Sequence, residues 1–326
     1  MKATCCINSL GVFVPVDNVS NDDLAKIVDT NDDWIVERTG IKERRRLAET
    51  DNASDLALRA AIQALNNDDP RTLTHILVAT CTPDFLTPSV ACIVSGALQA
   101  GPVMAFDISA ACTGFIYGIS LCNSILASTP NAKILFICAE ALTRRLNWQD
   151  RSTCVLFGDS AAACVIQSSA TSPLCRLVDV ICASDGAQKD LITIGGGTAC
   201  SYKIGSSVGA EFFLSMHGRD TYKHAVRQMV NVCSELLERN NLAISDISLF
   251  VPHQANMRII EAVGARLGIS EDAVFTNVAS YGNTSAASIP LALSEALASG
   301  RIAPGALVLV TAFGAGLTWG AALFRF

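Results

Sequence analysis

One order of strand-like and helix-like segments occurs twice in this 326-residue sequence, which leaves few architectures open. In the first half, strands are predicted at 75–81, 103–108, 133–138 and 153–157, and helices at 89–98 and 114–127. In the second half, strands are predicted at 247–252, 274–278 and 306–312, and helices at 255–267 and 285–298. Alternation of apolar strands with helices is typical of α/β folds with buried sheets. The sequence therefore predicts an α/β protein.

The two series are also matched in spacing. Ile76 and Ile134 lie 58 positions apart, and so do Leu249 and Leu307. Laid together, ILVATCTP lies beside LFVPHQAN, AFDISAACTGF beside FTNVASYGNTS, AKILFICAE beside GALVLVTAF, and AAACVIQ beside GAALFRF. Any two βα stretches look broadly alike, but equal spacing favours an internal duplication.

The predicted halves are 1–172, which would carry a nucleophilic cysteine, and 173–326. A cluster of Ser, Thr and Pro at 168–176 marks the expected crossover between them. Residues 185–209 are rich in Gly and Ser. We expect them to form a long surface loop beside a functional site.

Composition excludes several functions. Against 24 Lys+Arg stand 30 Asp+Glu, and the resulting net charge of -6 gives no overall positive field for a nucleic acid. Polar residues interrupt the apolar runs before they reach the roughly 18 to 20 residues that span a bilayer. The N-terminus is predicted to be a first strand, not an export leader. We expect a cytoplasmic protein that binds neither nucleic acid nor membrane.

The thirteen cysteines and four histidines do not have the spacing of a metal site. No C-x2-C, C-x4-C or H-x3-H pair occurs among them. In a long chain without an export leader, the cysteines are expected to be reduced, and most to be small buried apolar residues. The sequence predicts no metal ion.

Cys112 differs from the other cysteines in its surroundings. It follows the strand-like run AFDIS and opens the helix-like run TGFIYGISLCNSIL, with Ala110, Ala111 and Gly114 around it. A thiol at a helix N-terminus lies near free N–H groups and the positive end of the helix dipole, which lower its pKa. We therefore expect Cys112 to be a nucleophile that needs no separate base. Its own N–H would help to bind an oxyanion.

Two residues of the second half are candidate partners of this thiol. His253 lies in VPHQAN at a predicted strand end, and Asn283 lies in SYGNTSAAS before a predicted helix. Taken singly, a histidine before a helix is most often structural, and an asparagine beside glycine is ordinary turn chemistry. In a duplicated fold, strand ends of both halves meet. We therefore expect Cys112, His253 and Asn283 to converge on one pocket.

Five motifs, in order, resemble one known family. They are NDDWIVERTGI at 31–41, DISAACTGF around Cys112, PHQANMRII around His253, YGNTSAASIP around Asn283, and AFGAGLTWGAALFRF at the C-terminus. The sequence resembles the β-ketoacyl-acyl-carrier-protein synthase III type of thiolase-fold condensing enzyme. The resemblance implies an internally duplicated five-layer α-β-α-β-α sandwich, a homodimer, and chemistry without a cofactor.

The resemblance also implies a mechanism. Cys112 would take the acyl group from acyl-CoA. His253 and Asn283 would stabilise the enolate formed when malonyl on acyl carrier protein loses CO2. Asn at position 283 fits decarboxylative condensation, whereas Cys, Glu or Asp there would suggest other branches of the superfamily. A C-terminal turn would complete the oxyanion site with Phe313, Gly314 and Gly316.

The family positions that hold CoA correspond here to four residues. Trp34 offers a ring on which adenine would stack, Arg38 and Arg151 would bind phosphates, and Asn256 would hold the pantetheine arm or a water. The neighbouring run Arg44–Arg46 fits either this basic surface or an ordinary solvated face.

Further expectations concern the carrier protein and the acyl pocket. Acyl carrier protein is acidic, so Lys223, Arg258 and Arg266 are candidates for its docking patch. Phe85 and Leu86, in TPDFLT, correspond to the stretch that caps the acyl pocket across the dimer.

Two segments depart from the family pattern. The usual FGDGAGA is FGDSAAA at 157–163, and IGGGTACSY in the central loop has no counterpart. Three alternatives therefore stay open. They are transfer of the acyl group to a non-malonyl acceptor in secondary metabolism, a catalytically silent acyl-CoA binder, and a cysteine hydrolase, since a Cys-His-Asn set also hydrolyses esters and amides.

Overall fold

Strands and helices alternate in two successive series in a computed structural model that describes residues 5–168, 172–197 and 209–326. The strands in these ranges are β1 Cys6–Phe13, β2 Asp17–Ser20, β3 Glu43–Arg46, β4 His75–Ala79, β5 Met104–Ile108, β6 Lys133–Glu140, β7 Ser160–Gln167, β8 Cys175–Ser184, β9 Ile192–Ile194, β10 Leu214–Met216, β11 Leu249–Pro252, β12 Leu307–Gly314 and β13 Thr318–Arg325. The helices are α1 Asn21–Ala25, α2 Asp32–Thr39, α3 Ala53–Leu65, α4 Val90–Ala97, α5 Gly114–Ser128, α6 Gly218–Arg239, α7 Met257–Leu267, α8 Val278–Tyr281 and α9 Ser288–Ala298.

Nine of these strands form one hydrogen-bonded series in the order β11-β12-β13-β8-β1-β7-β6-β4-β5. The junction between β1 and β8 is short, since only Cys6 and Ile7 of β1 pair across it. On either side the order is equivalent, because β8, β13, β12 and β11 take the places of β1, β7, β6 and β4. An isolated bridge at Val274 lies where the first half has β5.

Helices cover both faces of each half and fill the space between the halves. Along β4, Ile76 and Val78 pack with α3 and α4, whereas Leu77 and Ala79 face the opposite side, as expected for successive strand residues. That opposite side belongs to a cluster shared by α5, α9 and strands of both halves. Helices α6 and α7 cover the outer face of the second half. The predicted duplicated five-layer α-β-α-β-α sandwich is confirmed.

The two series share a strained elbow. Ala111 has φ 45° and Ser285 has φ 50°, and each opens a 3-10 turn that leads into α5 or α9. In the structure Ala111 is therefore the counterpart of Ser285. The alignment of AFDISAACTGF with FTNVASYGNTS was wrong, because it placed Cys112 opposite Gly282. In the structure its counterpart is Ala286, in the 3-10 turn before α9.

Two predicted strands are absent from the places given to them. Residues 153–156 form turns, held by the Asp150 carbonyl that accepts from the Cys154 N–H at 3.0 Å. Phe157 makes only an isolated bridge to Asn283, and the strand begins at Ser160. Residues 274–278 contribute the Val274 bridge and then enter α8. In both cases apolar residues are buried in a cluster with helix residues such as Ile35 and Ile260, and burial alone does not distinguish a strand from a turn.

Helix α5 explains one feature that the sequence analysis overlooked. Residues 111–128 are long and apolar enough to cross a membrane by length and composition, the single such stretch within the described ranges. In the fold, Phe115, Ile116, Ile119 and Cys122 of this helix are buried between the two sheet halves. The apolar composition therefore belongs to a central core helix.

Candidate active site

A cavity of about 2210 Å³ opens where elements of the two halves meet. Cys112, His253 and Asn283 all line it. Cys112 is half-buried, whereas the side chains of His253 and Asn283 are buried. The structure thus brings the three predicted residues to one site, from one elbow of the first half and two loop segments of the second.

The environment of Cys112 differs from the one expected at a helix start. Burial raises the pKa of the Cys112 thiol to about 12, although hydrogen bonds from Ser285 and Asn283 lower it. The buried carboxyl of Glu140 raises it further. The expected lowering of this pKa by the helix dipole is therefore wrong, because removal of water outweighs the favourable interactions at the helix end. Formation of the thiolate requires an acceptor for the proton.

His253 is held as a neutral imidazole. Its backbone N–H donates to the Thr311 carbonyl at 2.8 Å, and its ring Nδ1 lies 2.6 Å from the Ser288 hydroxyl. That hydroxyl already accepts from the Gln254 N–H, so its own proton is available to Nδ1. Burial lowers the pKa of His253 to about 3. With the Ser288 hydroxyl donating to Nδ1, the neutral ring carries its proton on Nε2, where it is a hydrogen-bond donor.

Asn283 is oriented by its own backbone and by the next turn. Its N–H donates to the Leu156 carbonyl at 2.8 Å, and its carbonyl accepts from the Gly158 N–H at 3.1 Å. Its side-chain Oδ1 accepts from the Ser285 N–H at 2.8 Å. This bond determines the orientation of the amide, so Nδ2 is the end that remains to donate towards Cys112.

The C-terminal turn lies against the nucleophile. Phe313, Gly314 and Gly316 line the cavity, and Gly316 has φ 137°. A Cβ atom placed on Gly314 would lie 2.8 Å from the backbone nitrogen of Cys112. Only glycine leaves this approach open, and the Cys112 N–H therefore lies beside the turn.

Trp34, Arg38 and Arg151 form a cluster at the cavity. The guanidinium of Arg38 lies 4.5 Å from the centre of the Trp34 ring, and that of Arg151 lies 5.1 Å from it. Helix α2 is capped by Asn31, whose side chain accepts from the Trp34 N–H at 2.8 Å. All three side chains line the cavity, so the structure places a ring and two cations at one edge.

The other basic candidates divide into two groups. Lys223 and Arg258 line the cavity and are largely exposed, each paired with an acidic side chain. Arg266 lies in the last turn of α7, exposed, and does not line the cavity. Arg44 is fully buried and donates to the Val155 carbonyl at 2.8 Å, so neither of the surface roles considered for it is correct.

Asn256 has a structural role that the sequence analysis did not anticipate. Its Oδ1 accepts from the Arg258 N–H at 2.9 Å and caps α7, while its Nδ2 donates to the Arg38 carbonyl at 3.1 Å. The residue lines the cavity but ties α7 to α2.

Two large apolar side chains are exposed at the cavity. Phe85 is 59% exposed and Leu86 is 84% exposed, and both line the cavity. The predicted loop 185–209 lies partly outside the described residues, which omit 198–208. Its described part forms a 3-10 segment and β9, which pairs with β10, and Ile192 and Ile194 of β9 line the cavity.

Several residues of the site were missed. Arg219 lines the cavity on α6, Ser288 orients His253, and Glu140 and Ser285 lie behind Cys112. Ser285 lies in the motif YGNTSAASIP, and its place opposite Ala111 in the repeat was the signal that could have identified it. Within the described ranges, no group of three or more His, Cys, Asp or Glu side chains is arranged to hold a metal ion.

Comparison with known proteins gives consistent results. Residues 106–186 match the family model 3-oxoacyl-[acyl-carrier-protein] synthase III, and residues 237–326 match the model of the C-terminal part of the same enzyme. The β-ketoacyl-[acyl-carrier-protein] synthase III of Nitratidesulfovibrio vulgaris strain Miyazaki F is 52% identical over 99% of this chain and 98% of its own length.

Solved structures agree with these sequence matches. The crystal structure of 3-oxoacyl-[acyl-carrier-protein] synthase III from Aquifex aeolicus superposes with a TM-score of 0.90 at 43% identity, covering 99% of this chain and 100% of that one. The priming β-ketosynthase of the R1128 polyketide pathway superposes with a TM-score of 0.90 at 30% identity, covering 100% of this chain and 97% of that one.

Proposed function

The chain belongs to the 3-oxoacyl-[acyl-carrier-protein] synthase III family, and we propose that it condenses an acyl-CoA primer with malonyl-acyl carrier protein to initiate fatty acid synthesis. The observation that carries this proposal is the convergence of a cysteine, a neutral histidine and an amide donor on one cavity. The first is a nucleophile, and the other two present N–H groups without a positive charge.

In the first step, the Cys112 thiolate attacks the thioester carbonyl of acyl-CoA. The Cys112 N–H, beside the turn 313–316, would donate to the oxyanion that forms. Collapse of the tetrahedral intermediate breaks the bond to sulfur of CoA, and CoA leaves as a thiolate that takes a proton from solvent. The product is an acyl group on Cys112.

In the second step, malonyl thioester loses CO2 and its thioester oxygen becomes an enolate oxygen. Nε2–H of His253 and Nδ2–H of Asn283 would donate to this oxygen. A neutral imidazole fits this role, because it donates without titrating near neutral pH. The carbanion then attacks the acyl carbonyl, and Cys112 leaves as a thiolate. The thioester itself delocalises the charge, so the step needs no cofactor.

The edge of the cavity would bind CoA. The Trp34 ring would stack on the adenine, and Arg38 and Arg151 would pair with phosphates. Because the Arg151 guanidinium already lies against Trp34, it must move aside for a base to enter between them. Asn256 supports this edge indirectly by tying α7 to the Arg38 carbonyl.

Acidic acyl carrier protein would approach the same edge. Lys223 and Arg258 are exposed there. Arg266 would contribute at the margin, since it lies farther along α7 and away from the cavity. These cations attract an acidic partner despite the net negative charge of the chain.

We also propose a homodimer in the cytoplasm. Phe85 and Leu86 expose apolar surface at the cavity, and a second copy would bury them and close the acyl pocket. The boundary between the two halves would lie at 172/173, since β7 ends at Gln167 and β8 begins at Cys175.

Mass spectrometry of the intact protein tests the function. We expect incubation with acyl-CoA to add one acyl group on the Cys112 peptide, and subsequent malonyl-acyl carrier protein to remove it as a 3-oxoacyl thioester. Cys112→Ala should show neither event, whereas Cys92→Ala, at an exposed thiol outside the cavity, should show both. Clearance of the acyl group by an alcohol, an amine or water but not by the malonyl thioester would contradict the proposal.

A further inference from the structure

We propose that Ser285 and Glu140 form a proton relay that takes the proton of Cys112 during acyl transfer and returns it after condensation. This inference rests on the proposed function for its role in the reaction cycle. The relay itself rests on the contacts that link Glu140 to Ser285 and Ser285 to Cys112.

The carboxyl of Glu140 is a buried group with an unusual set of partners. It ends β6 and has no exposed surface. It accepts from the Thr82 hydroxyl at 2.8 Å, from the Cys81 N–H at 3.2 Å and from the Ser285 hydroxyl at 3.1 Å. Across the described residues, no Lys, Arg or His forms a salt bridge with it. A buried carboxyl without a cation is costly, and such groups concentrate at functional sites.

Ser285 connects this carboxyl to the nucleophile. Its hydroxyl donates to Glu140 at 3.1 Å, and Ser285 lines the same cavity as Cys112 and lowers the pKa of the Cys112 thiol by hydrogen bonding. A hydroxyl has one proton and two acceptor lone pairs. While that proton is donated to the Glu140 carboxylate, the lone pairs remain for the hydrogen of the Cys112 thiol. The contacts therefore align thiol, hydroxyl and carboxylate as donor, donor and final acceptor.

Proton transfer along this line preserves every hydrogen bond. The thiol proton passes to Ser285 Oγ, and the original Ser285 proton passes to Glu140. The products are a Cys112 thiolate that accepts from Ser285 and a neutral Glu140 that donates to Ser285. When condensation expels the Cys112 thiolate, the same two transfers run in reverse. The relay is thus unchanged over a cycle, and the proton consumed overall is the one that CoA takes from solvent.

The electrostatics fit a proton acceptor that works near neutral pH. Burial raises the pKa of Glu140 to about 7, although hydrogen bonds from Thr82, Cys81 and Ser285 lower it. The titratable groups that face it are three thiols, Cys81, Cys112 and Cys138, whose pKa values are all raised by burial. Burial lowers the pKa of His253 far below that of Glu140, so the imidazole stays neutral and does not compete for the proton.

The test follows the ionisation of Cys112 without substrate. Iodoacetamide labelling of the Cys112 peptide, resolved by mass spectrometry, reports the thiolate at each pH. In the wild type, the labelling rate should fall as pH drops through about 7, because protonated Glu140 accepts no proton. Glu140→Gln and Ser285→Ala should each label roughly 10²-fold more slowly at neutral pH. Their pH profiles should move upward, towards the ionisation of the thiol itself.

Matched variants separate a relay from mere packing. Alanine is compatible with the elbow at 285, since Ala111 adopts the same conformation in the first half. The double variant should lose no more than either single variant, because both break one chain of transfers. Glu140→Asp retains a base and should recover part of the rate. Asp159→Asn removes a buried carboxyl that contacts Thr143 and Leu47, outside the relay, and should leave the labelling profile unchanged.

Labelling of Cys112 at the wild-type rate and pH dependence in Glu140→Gln would overturn the relay, whatever happens to thermal stability. Additive losses in the double variant would overturn it as well. Failure of the wild type to accept an acyl group from acyl-CoA in the same samples would instead contradict the proposed function. The two failures are therefore distinguishable.

Discussion

Gly314 and Cys112 approach so closely that a Cβ atom on the glycine would lie 2.8 Å from the cysteine's backbone nitrogen. The two residues come from different halves of the chain, one at the end of β12 and the other at the elbow before α5. Their contact keeps the N–H of the nucleophile beside the C-terminal turn. The position of the proposed oxyanion site thus depends on residue 314 being a glycine, which has no side chain.

Gly314→Ala should slow acyl transfer strongly while leaving a folded protein. The added methyl group must displace the Cys112 backbone, and a small misplacement of a reacting group costs on the order of 10²-fold in rate. Acyl loading measured by mass spectrometry, with circular dichroism for folding, checks this. Gly96→Ala is the control, because open space surrounds Gly96 on α4 and alanine there should stabilise the helix by about 0.5 to 1 kcal/mol. Normal loading by Gly314→Ala would refute the assignment of the turn.

Asn283→Asp should separate the two steps of the reaction. The carboxylate can still accept from the Ser285 N–H, so the local backbone is retained. In place of the Nδ2–H donor, however, it presents negative charge to the enolate. We expect CO2 release from the malonyl thioester to fall by about 10²-fold to 10³-fold, the loss typical of one oxyanion donor. Acyl loading should fall less. Equal losses in both assays would mean that Asn283 acts only through Cys112.

Arg151→Ala should weaken binding of acyl-CoA. Its guanidinium lies against the Trp34 ring at the cavity edge, where the phosphates of CoA would lie. We expect KM for acyl-CoA to rise about tenfold with little change in kcat. This pattern is expected when the lost interaction is equally strong in the bound substrate and in the transition state. Arg71→Ala is a matched control, because Arg71 is exposed and paired with Asp69 away from the cavity. A fall in kcat at unchanged KM would place Arg151 in the chemistry instead.

His253→Asn should reduce the sensitivity of the fold to acid. In the folded state the pKa of His253 is about 3, whereas an unfolded histidine titrates near 6.5. Between these values only the unfolded state binds the proton, so stability falls as pH decreases, by about 1.4 kcal/mol per pH unit for one proton. Glu140 and Asp159, with raised pKa values, act in the opposite direction in both proteins.

Denaturant unfolding at several pH values measures this difference. Below pH 6.5 the free energy of unfolding should fall less steeply for His253→Asn than for the wild type. Parallel slopes would show that His253 is protonated in the folded protein, and its assignment as a neutral donor would then fail.

The grouping of Cys112, His253 and Asn283 was predictable because the signals that mark these residues are local. Cys112 lies between a strand and a helix, and His253 and Asn283 occupy motifs of neighbouring residues. In the structure these three residues line one cavity. The absence of a strand at 153–157 was not predictable, since this segment is as apolar as a strand yet forms turns at 153–156 and a single bridge at Phe157.

The sequence pattern could not predict how deeply individual side chains are buried or what they contact. Arg44 lies in a run of basic residues, and nothing in that run indicates that one guanidinium is fully buried and bonded to the Val155 carbonyl. The pKa of Cys112 was misjudged for the same reason. The helix dipole can be inferred from local sequence, whereas desolvation depends on everything packed around the thiol.

The amino-acid sequence by itself determined the α/β class and the internal duplication, and it carried the motifs whose family resemblance implied the five-layer architecture and the candidate reactive side chains. These follow from periodicity, spacing and short motifs, which are properties of residues near one another in the chain. Only the tertiary structure decided which side chains lose water and which of them touch. Glu140 and Ser285 are 145 residues apart in sequence, yet their 3.1 Å hydrogen bond exists because the two halves pack face to face. Burial and hydrogen bonding between distant segments arise only when the chain is folded.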